Sequence, residues 1–405
     1  MARSARKIRV VHIVPSTYGL VFGGHTHYVF SLLSGWRDEE IALDLWGTEV
    51  RPLNMNSGNP DYQLPRRLWP SAGRSSRLQR LWESARQLMF LATRARSFDI
   101  AHFQALGWGA LLSPVVLHLL GKKVVYTMTL YGSDNPSALV EDKRGKLAIG
   151  LLRRFDGIVA LSPALAEDCR KYGISNVFCL PNFLAIPKLK EGKNQSLRET
   201  VRARYQIPVE DLVLLFVGSA IRRKGIDILV ESYIRVAKVH PNTWLVLVGP
   251  SRTGESAGIE PSYLDEQQIR LLSARVSDRV MWTGMVTDKH ELVGYYSAAD
   301  IFVLPTRAEG LPNVLAEAMA AGLPVVATNL PGCTDSIVVD GETGFLVPPE
   351  DVSALTHALE RLISEPALRA RMGSSGRKRS SIFGFEGYCR RLKDFYLRVM
   401  GIQPQ

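Results

Sequence analysis

Short apolar runs rich in β-branched residues alternate with segments of helical period along almost the whole chain. In the first half they are IRVVHIV from residue 8, IALDLW from 41, DIAHF from 99, KVVYT from 123, GIVAL from 157 and VFCLP from 177. In the second half they are LVLLFVG from 212, WLVLVG from 244, VMWTG from 280, IFVLP from 301 and PVVAT from 324. Between them lie helical patterns such as IDILVESYIRVAKVH. Near-continuous apolar strands, each followed by a helix, predict parallel sheets covered on both faces. The alternation breaks once, in a polar stretch from residue 185 to 208. The expected layout is therefore α/β, with two doubly wound, Rossmann-like domains facing across a cleft. The first spans 1–185 and the second 208–381, joined by a linker at 186–207. A last amphipathic helix within 382–405 could pack on either domain, folding back on the first being one of the two options. Ligands of such sheets sit beyond the carboxyl ends of the strands.

Charge narrows the partners. The 405 residues carry 50 Lys and Arg against 39 Asp and Glu, a net +11, so an anionic partner is expected. Nucleic acid is set aside, because the basic residues gather on turns and one helix without interleaved aromatic residues. Cys169, Cys179, Cys333 and Cys389 lack paired or metal-like spacing and suit a reduced, cytoplasmic compartment. The basic N-terminus leads into an apolar run ended by Pro15, which reads as a first strand and not a secretory leader. The stretch LLSPVVLHLLG, 111–121, is far below the ~20 residues that span a bilayer.

Two segments carry candidate chemistry in the second half. Residues 308–328, AEGLPNVLAEAMAAGLPVVAT, contain only two charged residues, Glu309 and Glu317, eight positions apart. Pro312 is expected as the first residue of a helix that stops at Gly322. Val314, Leu315, Ala318 and Met319 form its packing face, with Glu317 on the flank beside Asn313 and Glu309 on the loop above the strand end. No cation lies between Arg307 and Arg361, so neither carboxylate has a partner nearby in sequence. Carboxylates among Ala, Leu and Met need hydrogen-bond donors, and sugar hydroxyls are suitable ones. The alternative is that both face water, as Glu usually does. In FVGSAIRRKGIDILV, 216–230, a strand ends at Gly218, a turn carries Arg222, Arg223 and Lys224, and Gly225 opens a helix. Cations beside helix-start amides suit a diphosphate.

In the first half, Gly23 and Gly24 follow the first strand and permit a close backbone approach to a ligand. His25 and His27 would diverge on a helix and are not read as a metal pair. The chain contains no Asp-x-Asp, and neither a metal nor a cofactor is expected.

Glu309 and Glu317 within EGLPNVLAE, the RKG turn, the Gly-Gly loop and the ending DGETGFLVPPED resemble the retaining glycosyltransferases of family 4, which have the GT-B fold. The likeness covers nearly the whole chain and is strongest from 212 to 351. It implies a UDP- or GDP-linked sugar donor held mainly by the second domain. On that resemblance Glu317 binds the ribose, Glu309 contacts the donor sugar, and Arg223 and Lys224 neutralise the leaving diphosphate. Gly310, Leu311, Pro312 and Asn313 would hold the sugar and diphosphate, with Gly218 and Arg222 nearby and Gly23 and Gly24 approaching from the first domain. Tyr131 and His25 fall on the acceptor or sugar side. Two positions depart from the pattern: relatives carry Arg after Gly218, where this chain has Ser219, and His where MTLYGSD has Tyr131. The acceptor implied is a glycan or lipid-linked precursor at the cytoplasmic face of the membrane. Alternatives on the same fold are a nucleotide-sugar epimerase or hydrolase and an inactive sugar-nucleotide-binding relative, the latter argued by Tyr131.

Residues 64–97 hold eight arginines against one acidic residue, Glu83, a net of +7. Leu78, Leu81, Trp82, Ala85, Leu88, Met89 and Ala92 recur at helical spacing, flanked by Arg77, Arg80 and Arg86, with Trp69 upstream. Such a helix either lies on an anionic membrane surface or packs its stripe on the first sheet and turns the arginines to water.

Overall fold

The computed structural model describes residues 6–14, 24–48, 67–69, 77–141, 145–186, 189, 193–251 and 259–403. They divide into two compact units, Met1–Phe183 with Phe385–Gln405, and Leu184–Gly384.

The first unit holds a seven-stranded sheet of β1 (Ile8–Val14), β2 (Ile41–Thr48), β3 (Arg67–Trp69), β4 (Ile100–Phe103), β5 (Lys123–Met128), β6 (Gly157–Ala160) and β7 (Val177–Cys179). Its spatial order is β3-β2-β1-β4-β5-β6-β7, and every pairing is parallel. The second unit holds six strands: β8 (Leu212–Val217), β9 (Thr243–Val248), β10 (Val280–Gly284), β11 (Ile301–Leu304), β12 (Val325–Thr328) and β13 (Gly344–Val347). Their order is β10-β9-β8-β11-β12-β13, again all parallel. All eleven apolar runs form strands. The two strands they did not announce, β3 and β13, have three and four residues, too few to show a period.

In each sheet the order reverses beside the first strand, between β1 and β4 and between β8 and β11. At such a reversal the two loops leaving the carboxyl ends turn to opposite faces and open a crevice. The second reversal sets the loop after β8 next to the loop after β11, and these carry the two motifs of the second half.

The polar stretch 185–208 includes helix Gln195–Arg204, which belongs to the second unit. Arg198 and Arg202 reach Asp300 just before β11, at 3.1 and 2.7 Å. The last helix, Phe385–Val399, belongs to the first unit. Its buried Tyr396 hydroxyl bonds His102 Nδ1 at 2.7 Å and His12 Nε2 at 3.1 Å. Phe385 and Phe395 fill the space left by Gly35 and Gly157, where any Cβ would collide with their rings.

Two local expectations are corrected. The helix expected from Pro312 runs Asn313–Ala320, and Pro312 is its N-cap. Helix Arg77–Thr93 does not pack its apolar stripe on the sheet. Leu81, Trp82 and Met89 are 56%, 63% and 64% exposed, and Ala85 is exposed with them. The helix is turned by other residues. Leu91 is buried, Phe90 meets Trp46 of β2 edge-on at 5.5 Å, and Gly109 lets the neighbouring helix approach Ser84 and Gln87. Leu88 and Ala92 are half-buried, and the side chains of Arg77, Leu78 and Arg80 lie outside the described residues.

Candidate functional site

The second unit builds its site from the ends of β8 and β11. After β8, Gly218 and Gly249 at the end of β9 touch so closely that a Cβ on Gly249 would strike the Gly218 carbonyl. Ile221 then caps a single 3₁₀ turn, Arg222–Lys224. Gly225 closes it at φ +72° and begins helix Ile226–Val239. A Cβ at Gly225 would overlap the Pro305 carbonyl, so the residue type follows from both the left-handed backbone and the close approach.

The loop after β11 is sewn to that turn. Arg307 donates from its backbone N to Arg223 O at 2.8 Å and from Nη1 to Arg222 O at 2.6 Å. The Thr306 hydroxyl donates to Arg223 O at 3.1 Å, and Arg223 returns a bond from Nη1 to Ala308 O at 2.6 Å. Arg307 is itself held by Asp227 in the first turn of the next helix, through two bonds of 2.9 and 2.8 Å. Burial acts upward on the Asp227 carboxyl, but the bonds from Arg307 and Tyr263 outweigh it and hold the group below its usual range. Tyr263 also lies under the Arg222 guanidinium, 4.6 Å from ring centre to carbon.

This stitching brings Glu309 onto the cations. Its Oε1 lies 2.5 Å from Lys224 Nζ and accepts from the Thr306 hydroxyl at 3.0 Å, while its Oε2 is 3.5 Å from Arg223. Glu309 is 6% exposed. Glu309 has no cationic partner nearby in sequence, but it is not unpaired: its cations, Lys224 and Arg223, lie 85 and 86 positions earlier in the chain. Cys333 supports the same loop, with Sγ 3.6 Å from Glu309 O and 3.5 Å from Gly310 O. Burial pushes its thiol well above the usual range, so it is not a thiolate nucleophile.

Glu317 is likewise not unpaired. Its Oε2 accepts from the Tyr296 hydroxyl at 2.8 Å, on helix Lys289–Ala298. Burial raises the Glu317 carboxyl above its ordinary value, opposed by the Tyr296 bond and the charge of Lys289. Burial in turn lowers Lys289, whose Nζ donates to Ala185 O at 3.3 Å. Gly310, Leu311 and Pro312 are buried on the approach to helix Asn313–Ala320, and Asn313 is half-buried at its first turn.

Gly218, Arg222, Arg223, Lys224, Glu309–Asn313 and Glu317 thus fall on strand-end loops and helix starts of one unit. The remaining candidates belong to the other unit. Gly24 starts helix Gly24–Gly35 and His25 follows it; the His25 side chain and Gly23 lie outside the described residues. Tyr131 is 39% exposed in the turn after β5. Asp134 holds that turn by accepting from the Tyr126 hydroxyl at 2.6 Å, Thr129 N at 2.9 Å and Leu130 N at 2.9 Å.

Sequence reasoning missed Thr306, Arg307, Asp227, Tyr263 and Tyr296. Arg307 had a readable signal, being the last cation before a long stretch without one. A tyrosine in an apolar helix also signals that its hydroxyl needs a partner. Among the described residues no group of three or more His, Cys, Asp or Glu could hold a metal.

Residues 198–379 match the family model described as glycosyl transferases group 1, and residues 22–185 match that of glycosyltransferase family 4. The chain is 34% identical to the capsular polysaccharide biosynthesis glycosyltransferase CapM of Staphylococcus aureus over 42% of its own length. That match spans 41% of CapM, about two fifths of the relative. Sucrose-phosphate synthase from Thermosynechococcus elongatus superposes with a TM-score of 0.76 at 24% identity, over 98% of this chain and 100% of that one. Anabaena HepE in complex with UDP-glucose also gives 0.76, at 17% identity, over 98% and 100% of the two chains. These likenesses establish the GT-B fold.

Proposed function

Because the chain belongs to the group 1 glycosyltransferases of the family 4 type, we propose that it moves a sugar from a nucleoside-diphosphate sugar to an acceptor hydroxyl, with retention and without a metal. The observation that carries this reading is the pairing of Arg223 and Lys224 with Glu309 at the β8–β11 reversal, beside a helix start.

Transfer breaks the bond between the anomeric carbon and a phosphate oxygen, so negative charge grows on the diphosphate and positive charge on the sugar. Arg223 and Lys224 answer the first and the Glu309 carboxylate the second, each pre-placed by hydrogen bonds within the unit. A donor diphosphate takes the place of Glu309 as the principal counter-ion of the two cations. Glu317, raised by burial and held by Tyr296, accepts from the ribose diol. On the retaining path the acceptor oxygen forms its bond on the face the phosphate leaves. Its proton passes to the departing phosphate oxygen, so the enzyme needs no separate base. HepE, solved with UDP-glucose, supports UDP as the first donor base to test. CapM, named for capsular polysaccharide biosynthesis, supports a polysaccharide-precursor or lipid-linked acceptor at the cytoplasmic membrane face.

A thermal-shift screen of UDP- and GDP-sugars tests the reading, since a ligand of the native state raises its melting temperature with the logarithm of saturation. One nucleotide sugar is expected to stand out, with turnover only when acceptor is present. Turnover without acceptor would make the chain an epimerase or hydrolase. No shift with any nucleotide would remove the donor site.

A further inference from the structure

Helices Arg77–Thr93 and Trp108–Leu119 lie side by side in the first unit, where a Cβ on Gly109 would press against Gln87 and Ser84. Both turn apolar residues outward. The first exposes Leu81, Trp82 and Met89 to more than half of their surface, on one helical face with Ala85. The second exposes Leu112, Val115 and Leu119, spaced three and four apart, with Leu119 at 86% and Leu120 following at 44%. Scattered exposed leucines need no explanation, but runs of them at helical spacing on two adjacent helices mark a contact surface.

Charge selects the occupant. From Arg77 to Ser97 the chain carries five arginines, at 77, 80, 86, 94 and 96, against Glu83 alone, and Lys122 follows the second helix, while Lys123 is paired with Asp156 at 2.9 Å. Such a surface repels a basic partner, including another copy of a chain with net charge +11. No described helix is long and apolar enough to cross a membrane. A basic helix of high amphipathicity that presents Trp and Leu together is built to lie in the plane of a bilayer interface.

We propose that these two helices form a docking surface for an anionic lipid leaflet. Leu81, Trp82 and Met89 enter the headgroup boundary, and Leu112, Val115 and Leu119 widen the apolar footprint. Arg86 and Lys122 meet the lipid phosphates. The surface lies within the first unit and uses none of the residues assigned to sugar transfer, so docking is read without any substrate and its failure leaves the transfer reading intact.

The test is flotation of the purified full-length protein with vesicles of phosphatidylcholine, alone or mixed with phosphatidylglycerol. The wild type is expected to float with the mixed vesicles at low salt and to be released by high salt. Leu81, Trp82 and Met89 changed together to Ser should leave it in the soluble fraction, and so should Leu112→Ser with Leu119→Ser. Arg86→Ser should weaken binding about fivefold. The apolar positions changed are exposed, so unchanged circular dichroism and melting are expected of those variants. A wild type that stays soluble with anionic vesicles at low salt overturns the proposal. So does a triple variant that floats like the wild type. A wild type that is dimeric by light scattering, ignores vesicles and becomes monomeric in the triple variant would assign the surface to self-association instead.

Discussion

The end of β11 and the helix Arg77–Thr93 depart from the usual distribution of polarity in opposite directions. In the second unit a carboxylate, Glu309, is drawn almost wholly out of water. In the first unit Trp82 and its neighbours are pushed into it. The buried carboxylate is matched inside the same unit by Lys224, Arg223 and Thr306. The exposed stripe has no such match among the described residues of its own chain. A departure satisfied internally prepares a site that must hold its shape before a ligand arrives. A departure left open toward solvent prepares a surface that another phase completes.

The comparison can be broken at the cations first. Changing Arg223 and Lys224 together to Ala is expected to lower transfer by on the order of a thousandfold or more. A nucleoside monophosphate should bind nearly as before. Calorimetric titration with both ligands decides it, and diphosphate affinity that survives the double change would make the turn a mere solvated surface.

The two departures should also differ in stability. Lys224→Ala strands a buried carboxylate, which costs roughly 3–5 kcal/mol. Trp82→Ser removes a side chain that is already solvated and should stay within about 0.5 kcal/mol of the wild type. Paired melting curves test this, with each kcal/mol worth about 2–4 °C in a unit of this size. Equal shifts would mean that the stripe is packed in solution.

Glu317→Ala should weaken nucleotide diphosphate binding by roughly 10- to 100-fold, the loss of hydrogen bonds to a charged acceptor. Unchanged affinity would remove Glu317 from the ribose. Its titration gives a gentler probe. The ribose diol donates to the ionised carboxylate, and burial raises this carboxyl above its ordinary value. Nucleotide affinity should therefore be full above the raised value and fall as pH drops through it, by at most tenfold per unit. In Glu317→Gln that part of the dependence should vanish. The empty protein has the opposite sign. A carboxyl raised on folding adds stability below its unfolded value and loses it as pH rises through the folded one. The smallest effect belongs to Tyr296→Phe, which removes one bond to Glu317 and should cost about fivefold in nucleotide affinity.

Much of the fold was legible because burial on both faces makes a parallel strand read as an unbroken apolar run. That held for β8, LVLLFV, and β11, IFVL, and failed for β3 and β13, whose three and four residues carry no period. The cationic turn and the spaced glutamates were legible as motifs. Their pairing was not, because Lys224 and Glu309 meet only when β8 and β11 become neighbours. Tyr296 was invisible for the same reason: nothing local in GYYSAAD says that a hydroxyl must face a carboxylate on another helix.

What the sequence determined by itself was local chemistry: apolar runs that must be strands, a glycine-closed turn dense with cations, two carboxylates stripped of near neighbours, and one basic amphipathic helix. Tertiary structure decided direction and company. The order of strands chose which loops touch, and so gave Glu309 its cations. The rotation of helix Arg77–Thr93 was set by Phe90 on Trp46, buried Leu91 and the close approach at Gly109, and it turned outward a stripe whose period alone would have been read as core. The physical reason is shared. Periodicity states which residues lie on one face of an element, but only packing against distant elements states what that face meets.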